Sequence, residues 1–388
     1  MKKRIFLMMI MLLFFICIPM NVKGKEEGKT IDDINKNPKV QEFYKYIDKL
    51  DTEYEILNNF NIKDYIKNYM ETGKGDFSIK NLSKGIGSFL MKEVKVTLKL
   101  MISLIVLAII SSLIKNLQDS FSNMNISNIA FYACYAVMIM LLTKTFLVSL
   151  ELAKETIQGL ADFMLVLLPV LVVLLTTAGG VAQAAIMDPV VIGAVVMIPR
   201  IYIDVLIPLI LMGLVLVFVN NLSDEHKIDG ICRMFKQVIY WIQGIILTVF
   251  IGILTIRGIS SNTIDAVALK TAKFAIDNFV PIVGKAFSDA LTTMAGYSLI
   301  LKNAISTVGL IIIIVLVLFP IVKMVMMIFT YKMSAALIEP IGDKRIVNCI
   351  NFAGDSLVLI MATMLSLSLM FFITIAIMAN SGTFIVGG

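Results

Sequence analysis

Residues 304–322 read AISTVGLIIIIVLVLFPIV, a run of 19 residues without a charged side chain. A helix that crosses a bilayer needs about 20 mostly apolar residues, so this stretch predicts a transmembrane helix. Working outward from it, similar stretches predict an all-α, polytopic membrane protein with about eight transmembrane helices. The predicted spans are roughly 96–114, 129–149, 163–179, 181–198, 203–222, 238–256, 304–322 and 352–379.

The composition of the 388-residue chain favours the same class of protein. Apolar residues make up 58% and charged residues 16%, against roughly 45–50% and about 25% in soluble proteins. These values exclude a cytosolic enzyme, a disordered scaffold and a disulfide-stapled secreted module. The 34 basic and 28 acidic side chains give a net charge of +6. They form no basic field of the kind that binds nucleic acid, so no nucleic-acid partner is expected.

The N-terminus has the pattern of a signal peptide. Lys2, Lys3 and Arg4 precede an apolar run over residues 5–20, which predicts a signal peptide over 1–24. An uncleaved anchor of the same orientation is the alternative. In either case the following residues begin outside the cytoplasm.

A polar region follows at 25–95, with 13 lysines and 13 acidic residues. Apolar residues at Phe43, Ile47, Leu50, Tyr54 and Leu57 are spaced by four and three, which predicts one stripe on a helix. We therefore expect an extracytoplasmic amphipathic-helical region at 25–95 and a polytopic transmembrane domain at 96–388. The helical region either packs on itself or docks another extracytoplasmic protein.

The distribution of lysine and arginine in short loops predicts the orientation. With 25–95 outside, the loops 115–128, 223–237 and 323–351 lie in the cytoplasm and the uncharged C-terminal tail lies outside. The external loop 257–303 does not fit, because it carries five basic residues. The stretch 163–198 is also uncertain. Gly179-Gly180 leaves almost no turn, so it forms either two full spans or a re-entrant hairpin.

Two segments of the chain resemble each other. Residues 169–208 and 281–320 both begin and end at a proline, and a polar loop follows each. Together with their flanks they suggest a parallel internal repeat with units of about 150–258 and 266–380, and transport folds are often built from repeats. Chance recurrence of apolar residues is the alternative.

Several ionisable residues fall at predicted membrane depth, where a charge needs a reason. Asp188 and Asp204 lie inside predicted spans, and either line a transport pathway or pair with a neighbour. For Asp204 that neighbour would be Arg200, one helical turn away. Residues 266–303 predict an amphipathic helix pair that bends at Pro281 and Gly284. It lies in the membrane interface, or it lines an aqueous cavity with its charged residues Lys285, Asp289 and Lys302.

A methionine-rich amphipathic helix is predicted after Pro320. Such a surface suits an adaptable protein contact or plain interfacial anchoring. The candidate partner-contact residues are Lys323, Lys332, Glu339 and Asp343.

Catalytic and metal-binding motifs are missing from the sequence. It has no phosphate-binding loop, no HExxH and no GxSxG. One histidine and four cysteines without a CxxC pair predict neither a metal site nor a disulfide framework. We therefore expect no enzyme activity, no catalytic residues and no cofactor.

Two long motifs carry a family resemblance. The stretch TAKFAIDNFVPIVGKAFSDALTTMAGYSLILKNAISTVG at 271–309 and the stretch FPIVKMVMMIFTYKMSAALIEPIGD at 319–343 resemble the stage III sporulation protein AE family. The resemblance implies a subunit of a channel or feeding apparatus between mother cell and forespore. It also implies a location in the mother-cell membrane that surrounds the forespore.

The partners that the resemblance implies are other stage III sporulation A proteins, including a secretion-type ATPase and ring-forming subunits, besides membrane lipid. A homo-oligomer is compatible with this role. Three functions remain open: a conduit or export-platform subunit, an assembly scaffold of the same apparatus, and an independent secondary transporter that uses the repeat and Asp188.

Overall fold

The computed structural model describes residues 37–53, 62–72, 94–95, 97–113, 124–222, 228–279 and 284–381. Within these ranges all regular secondary structure is helical. The predicted signal peptide lies outside them. The helices are α1 Pro38–Glu53, α2 Ile62–Thr72, α3 Thr97–Leu113, α4 Met124–Thr177, α5 Val181–Ile201, α6 Ile207–Asn220, α7 Asp229–Phe279, α8 Gly284–Ile338 and α9 Lys344–Asn380. A π-helical turn, Tyr202–Leu206, joins α5 to α6.

Among the described residues, five helical stretches are long and apolar enough to cross a membrane, and α3 is a shorter apolar helix. The eight predicted spans map onto fewer helices than expected. The spans 129–149 and 163–179 both lie on α4, a single helix of 54 residues. Its polar middle stays helical because Ala153, Ile157 and Leu160 pack in the core while the charged side chains face outward.

The predicted spans 181–198 and 203–222 likewise form one continuous helical unit, which we call the α5–α6 rod. Pro208 has no N–H to donate to the carbonyl of Asp204. The chain widens there by one residue, and the Ile207 N–H bonds the carbonyl of Tyr202. This π-turn keeps α5 and α6 continuous, where hydropathy alone predicted two separate spans.

Gly179 and Gly180 join α4 to α5 in a tight turn, as expected for a hairpin within 163–198. Gly179 has a φ of 95°, a conformation that glycine adopts without strain. A Cβ on Gly180 would lie 2.7 Å from Leu175 Cδ1, so the turn has no room for a larger residue. The two helices run antiparallel and pack on each other.

Helices α8 and α9 form the centre of the molecule, with α4 packed against both. In its most apolar segment, α9 is 61% buried inside the body, whereas the corresponding segment of α7 is 22% buried. Gly309 of α8 permits close packing, because a Cβ there would lie 2.7 Å from Leu167 Cδ2 and 3.4 Å from Ile375 Cδ1. The three central helices therefore meet at this level.

The polar N-terminal helices pack on this body. In α1, Val40, Phe43, Ile47 and Leu50 are buried, which confirms the predicted stripe at its first three positions, whereas Tyr54 and Leu57 lie outside the described residues. Tyr46 packs at a tilt against Phe163 of α4, with 6.2 Å between ring centroids. Helix α2 packs on α8, where Tyr69 lies beside Thr307. Burial there raises the pKa of Tyr65 to about 12.

The contacts define two ends of the body. At the inner end, Asn220 of α6 bonds Asp229 of α7 at 2.7 Å, and the turn between α8 and α9 lies at the same end. At the outer end lie the turn between α4 and α5 and the end of α9. Helix α2 contacts α8 toward the outer end, near Lys302, which bonds Ser381.

Candidate functional site

A line of polar side chains runs along α9 through the apolar body. Asp355, Thr363 and Ser366 are spaced by eight and three residues, which places them on one face of a helix. Each bonds a side chain of another helix. We call this row, with its partners on the neighbouring helices, the α9 polar ladder.

The inner rung of the ladder is a charged triad. The Asp355 carboxylate pairs with Lys236 Nζ of α7 at 2.9 Å and with Lys332 Nζ of α8 at 2.7 Å. Lys332 also donates to Asn351, to its backbone carbonyl at 3.1 Å and its Oδ1 at 3.3 Å. The three charged side chains are 34–38% exposed. The triad ties three helices together and carries one excess positive charge.

The next rungs are neutral. Gln243 Nε2 of α7 donates to Thr363 Oγ1 at 2.5 Å, and both residues are buried. Further outward, Ser366 Oγ donates to the hydroxyl of Tyr202 at 3.0 Å. Tyr202 is the first residue of the π-turn and is fully buried. The ladder therefore connects α9 to α7 and to the joint between α5 and α6.

The inner end of α9 is fixed by a second group of contacts. The hydroxyl of Tyr135 donates to the Phe218 carbonyl at 2.7 Å and lies 3.0 Å from Cys349 Sγ. The Asp343 side chain caps α9 by accepting from the Arg345 N–H at 2.9 Å. The Arg345 guanidinium stacks on the Phe131 ring, 3.6 Å from its centroid. These contacts join α4, α6 and α9.

The outer end of α9 is held by Lys302 of α8. This lysine is fully buried, and its ammonium donates to the carbonyl of Ser381, directly after the helix. A cation suits this position, since the end of a helix carries unsatisfied carbonyls and partial negative charge. Ser298 and Ser306, one turn to either side of Lys302, are buried, and their hydroxyls have no partner within the described chain.

The structure places the predicted pathway residues in different environments. Lys302 lies in the core, whereas Asp204 is exposed on the π-turn. Among the described contacts Asp204 has no ion pair, and the one expected with Arg200 is not formed. The helical backbone is described at Asp188, Lys285 and Asp289, but their side chains fall outside the described part.

The four predicted partner-contact residues also separate. Lys332 belongs to the triad, and Asp343 caps α9 and pairs with Arg345 at 3.2 Å. Lys323 is half-buried on α8, and Glu339 is exposed just after that helix. Two of the four therefore have partners within the chain, and Glu339 is the most accessible.

The sequence patterns did not single out Asp355, although a signal was present. Asp355 is the only charged residue in the predicted span 352–379. Lys236 was assigned only to a cytoplasmic loop. Gln243, Thr363 and Ser366 carry no such signal, because isolated polar residues are common in apolar helices.

The described residues hold no group of three or more His, Cys, Asp or Glu side chains that could bind a metal ion. Cys134, Cys232 and Cys349 are free thiols in buried positions. The ladder consists of ion pairs and neutral hydrogen bonds, and its chemistry is that of holding helices together or of providing polar groups inside an apolar body.

Comparison with known proteins identifies the family. A family model described as stage III sporulation protein AE matches residues 60–382. A protein of that name from Bacillus subtilis (strain 168) is 31% identical over 315 residues, which cover 81% of this chain and 79% of the relative. No solved structure matches. The matched region runs from α2 to the end of α9 and includes the whole polar ladder. The chain therefore belongs to the stage III sporulation protein AE family, as its motifs at 271–309 and 319–343 indicated.

Proposed function

We propose that this protein is a non-enzymatic membrane subunit of the channel apparatus between mother cell and forespore, and that it acts as a conduit or export-platform component. The proposal places it in the mother-cell membrane around the forespore. Other stage III sporulation A proteins, with a secretion-type ATPase and ring-forming subunits, are its proposed partners. Energy then comes from a partner, since the sequence has no phosphate-binding loop.

The triad Lys236–Asp355–Lys332 is the observation that carries the proposal. Charges among apolar helices are expensive and persist where they serve a function. The triad belongs to three different helices, and each of its side chains is about a third exposed. Partly hydrated charges between helices suit a polar route along their contacts. A single span that only anchors the protein would have no use for them.

A specific observation also favours an assembly scaffold. Lys302, Lys332 and Asp343 each have a partner within the chain. In this alternative the charges fix the helices into one rigid body, to which the ring and the ATPase attach. The conduit needs its polar residues for passage, whereas the scaffold needs them only for folding.

Deletion of the gene in its own host, followed by microscopy of engulfed forespores, tests the proposal. Forespores that shrink and stall after engulfment, and that recover with the wild-type gene, would support it. Unaffected spores would contradict both the conduit and the scaffold. The independent transporter would then remain, and flux through purified protein in vesicles, lost in Asp188→Asn, would test it.

A complementation series separates conduit from scaffold. Lys285→Gln/Asp289→Asn and Asp355→Asn are compared at equal membrane level and with partner recruitment measured by co-purification. A conduit predicts that recruitment persists in at least one of these variants while development stalls. A scaffold predicts that development fails only where recruitment fails.

A further inference from the structure

The long helices exceed the thickness of a membrane. Helices α4, α7 and α8 have 54, 51 and 55 residues, which corresponds to about 77–83 Å each at 1.5 Å per residue. The hydrocarbon core of a bilayer is only about 30 Å thick. Because α8 packs against both α4 and α7, a large part of each must lie outside the hydrocarbon.

The exposed apolar side chains are concentrated in the inner half of the body. On α7 they recur at every third or fourth residue from Ile231 to Ile253, and on α8 at every fourth residue from Val325 to Leu337. On α4 they are spaced less regularly, between Tyr132 and Val148. On α4 and α5, the described exposed large apolar side chains outward of the π-turn are Leu165, Val181 and Met197. On α7 the apolar stripe continues past Gln243, which bonds Thr363 of α9, as far as Ile253. The described side chains of α4 and α5 therefore present a dense apolar surface in the inner half and a sparse one in the outer half.

Charged and polar side chains border this surface on its outer side. Glu151, Glu155, Gln158 and Asp162 are exposed along α4, and Arg200 and Asp204 are exposed beside the π-turn. On α7 the apolar stripe ends at Ile253, and Arg257 is the first charged residue after it. Charged groups at the edge of an apolar belt mark the level where water or headgroups replace acyl chains.

Contacts within the body place the polar residues of α4 and those of the π-turn at one level. Ser149 of α4 contacts Met327 of α8, and Leu167 of α4 lies against Gly309 of α8, so Gln158 is halfway between the two contacts. On α9 the corresponding halfway position is near Ser366, which bonds Tyr202 beside Arg200 and Asp204. The border on α4 and the border on the π-turn therefore coincide.

We propose that lipid acyl chains surround only the inner half of the body, and that the outer half is an extramembrane helical domain. The turn between α4 and α5, the outer parts of α7 to α9, and α1 with α2 all belong to that domain. Asp188 and Asp204 then lie outside the hydrocarbon. The inference is independent of whether the protein conducts or scaffolds.

The arrangement of the chain supports this division. Helix α2 contacts α8 at Thr307, near Lys302, which bonds Ser381. The N-terminal helices and the end of α9 therefore share one side, and an even number of crossings must separate them. Helices α3, α4, α7, α8 and α9 and the α5–α6 rod supply six. In the eight-span arrangement, by contrast, the Gly179-Gly180 turn would face the cytoplasm.

Two matched pairs of exposed residues test the proposal. Met197 and Met212 are 57% and 52% exposed on the same bent rod, on opposite sides of the π-turn. Val181 and Val215 are 58% and 50% exposed. Each is changed singly to cysteine in a chain whose native cysteines are replaced, and native membranes are treated with a charged, membrane-impermeant maleimide from the extracytoplasmic side.

We expect M197C and V181C to react at least about tenfold faster than M212C and V215C, because the reactive thiolate forms only in contact with water. Equal protection of M197C and M212C would overturn the proposal, since both halves would then be in lipid. Equal labelling of the two would also overturn it, because the inner belt would not be covered by lipid.

A control excludes misfolding as the cause of a difference. All four variants are labelled again after transfer to denaturing detergent, where they should react equally. A spin label at the same positions gives a second measurement. Collisions with oxygen should dominate at 212 and 215, and collisions with a water-soluble nickel complex at 181 and 197. The reverse pattern would contradict the proposal whatever the maleimide result.

Discussion

At the scale of single residues, Asp355 is the charged group of the ladder that joins two other helices to α9. It pairs with Lys236 of α7 and with Lys332 of α8. Lys332 was recognisable in the sequence as a charged residue on an amphipathic helix, but its role was not. The pairing of residues that are 119 and 23 positions apart depends on the packing of helices, which no local pattern encodes.

Asp355→Asn should lower the thermal stability of the purified protein in mild detergent. The change leaves two lysines without their shared carboxylate, and we expect a loss of about 1–2 kcal/mol, between the values for exposed and fully buried pairs. Thermal unfolding measures the effect. Asp204→Asn is the matched control, because Asp204 is exposed and forms no ion pair among the described residues. Equal midpoints for the two variants would refute a stabilising role of the triad.

The hydrogen bond between Gln243 and Thr363 predicts that removing one partner destabilises the protein more than removing both. Thr363→Val should lower the free energy of unfolding by about 1–3 kcal/mol, because the buried Gln243 amide then loses its acceptor. Its remaining neighbour, the Leu359 carbonyl, is 3.5 Å away. The double variant Gln243→Leu/Thr363→Val should unfold closer to the wild type, since both polar groups are then removed. A double variant that unfolds below Thr363→Val would show that the bond is not the main contact.

At the scale of helices, the amphipathic stripe of α1 could be predicted and the extent of α4 could not. The stripe is a local pattern, and burial of Phe43, Ile47 and Leu50 confirms it. Hydropathy divided α4 into two spans because residues 150–162 are polar on average. The helix continues because those polar side chains occupy one face only, and a window average does not distinguish faces.

Phe43→Ala should release α1 from α4. Truncation of a buried phenylalanine lowers the free energy of unfolding by about 3–5 kcal/mol. Helix α1 has only 16 residues and is held by one apolar stripe, so this loss should detach it. Cleavage of the folded protein by trypsin at Lys45 and Lys49 should therefore become at least about tenfold faster, as local opening becomes more frequent. Glu42→Ala, at an exposed position one residue away, is the control and should be cut at the wild-type rate.

At the scale of the whole molecule, the sequence predicted an all-helical membrane protein and its family, but not how the spans combine. The positive-inside rule also predicts which connections face the cytoplasm. The amphipathic pair at 266–303 is helical on both sides of its bend, in α7 and α8. It continues the long helices, whereas the sequence predicted an external loop. Only the tertiary packing distinguishes these arrangements.

Fusions to alkaline phosphatase, which is active only outside the cytoplasm, should report this orientation. We expect low activity after residues 225 and 341, and high activity after residue 388. A cytoplasmic fluorescent protein fused at the same positions should give the opposite pattern. High phosphatase activity after 225 would invert the predicted orientation of the body.

The two anchored ends of α9 decide which parts of the molecule are free to move. Near its start, Cys349 and Arg345 contact Tyr135 and Phe131 of α4. Directly after its end, the carbonyl of Ser381 accepts from Lys302. Sliding α9 along its axis would break the contacts at both of its ends at once, so we expect α9 to keep its position. Among the long apolar helices that the structure describes, α7 has the least buried apolar segment, and it contacts α9 through Lys236 and Gln243. We therefore expect α9 to be the most rigid of the long helices and α7 to be the least constrained.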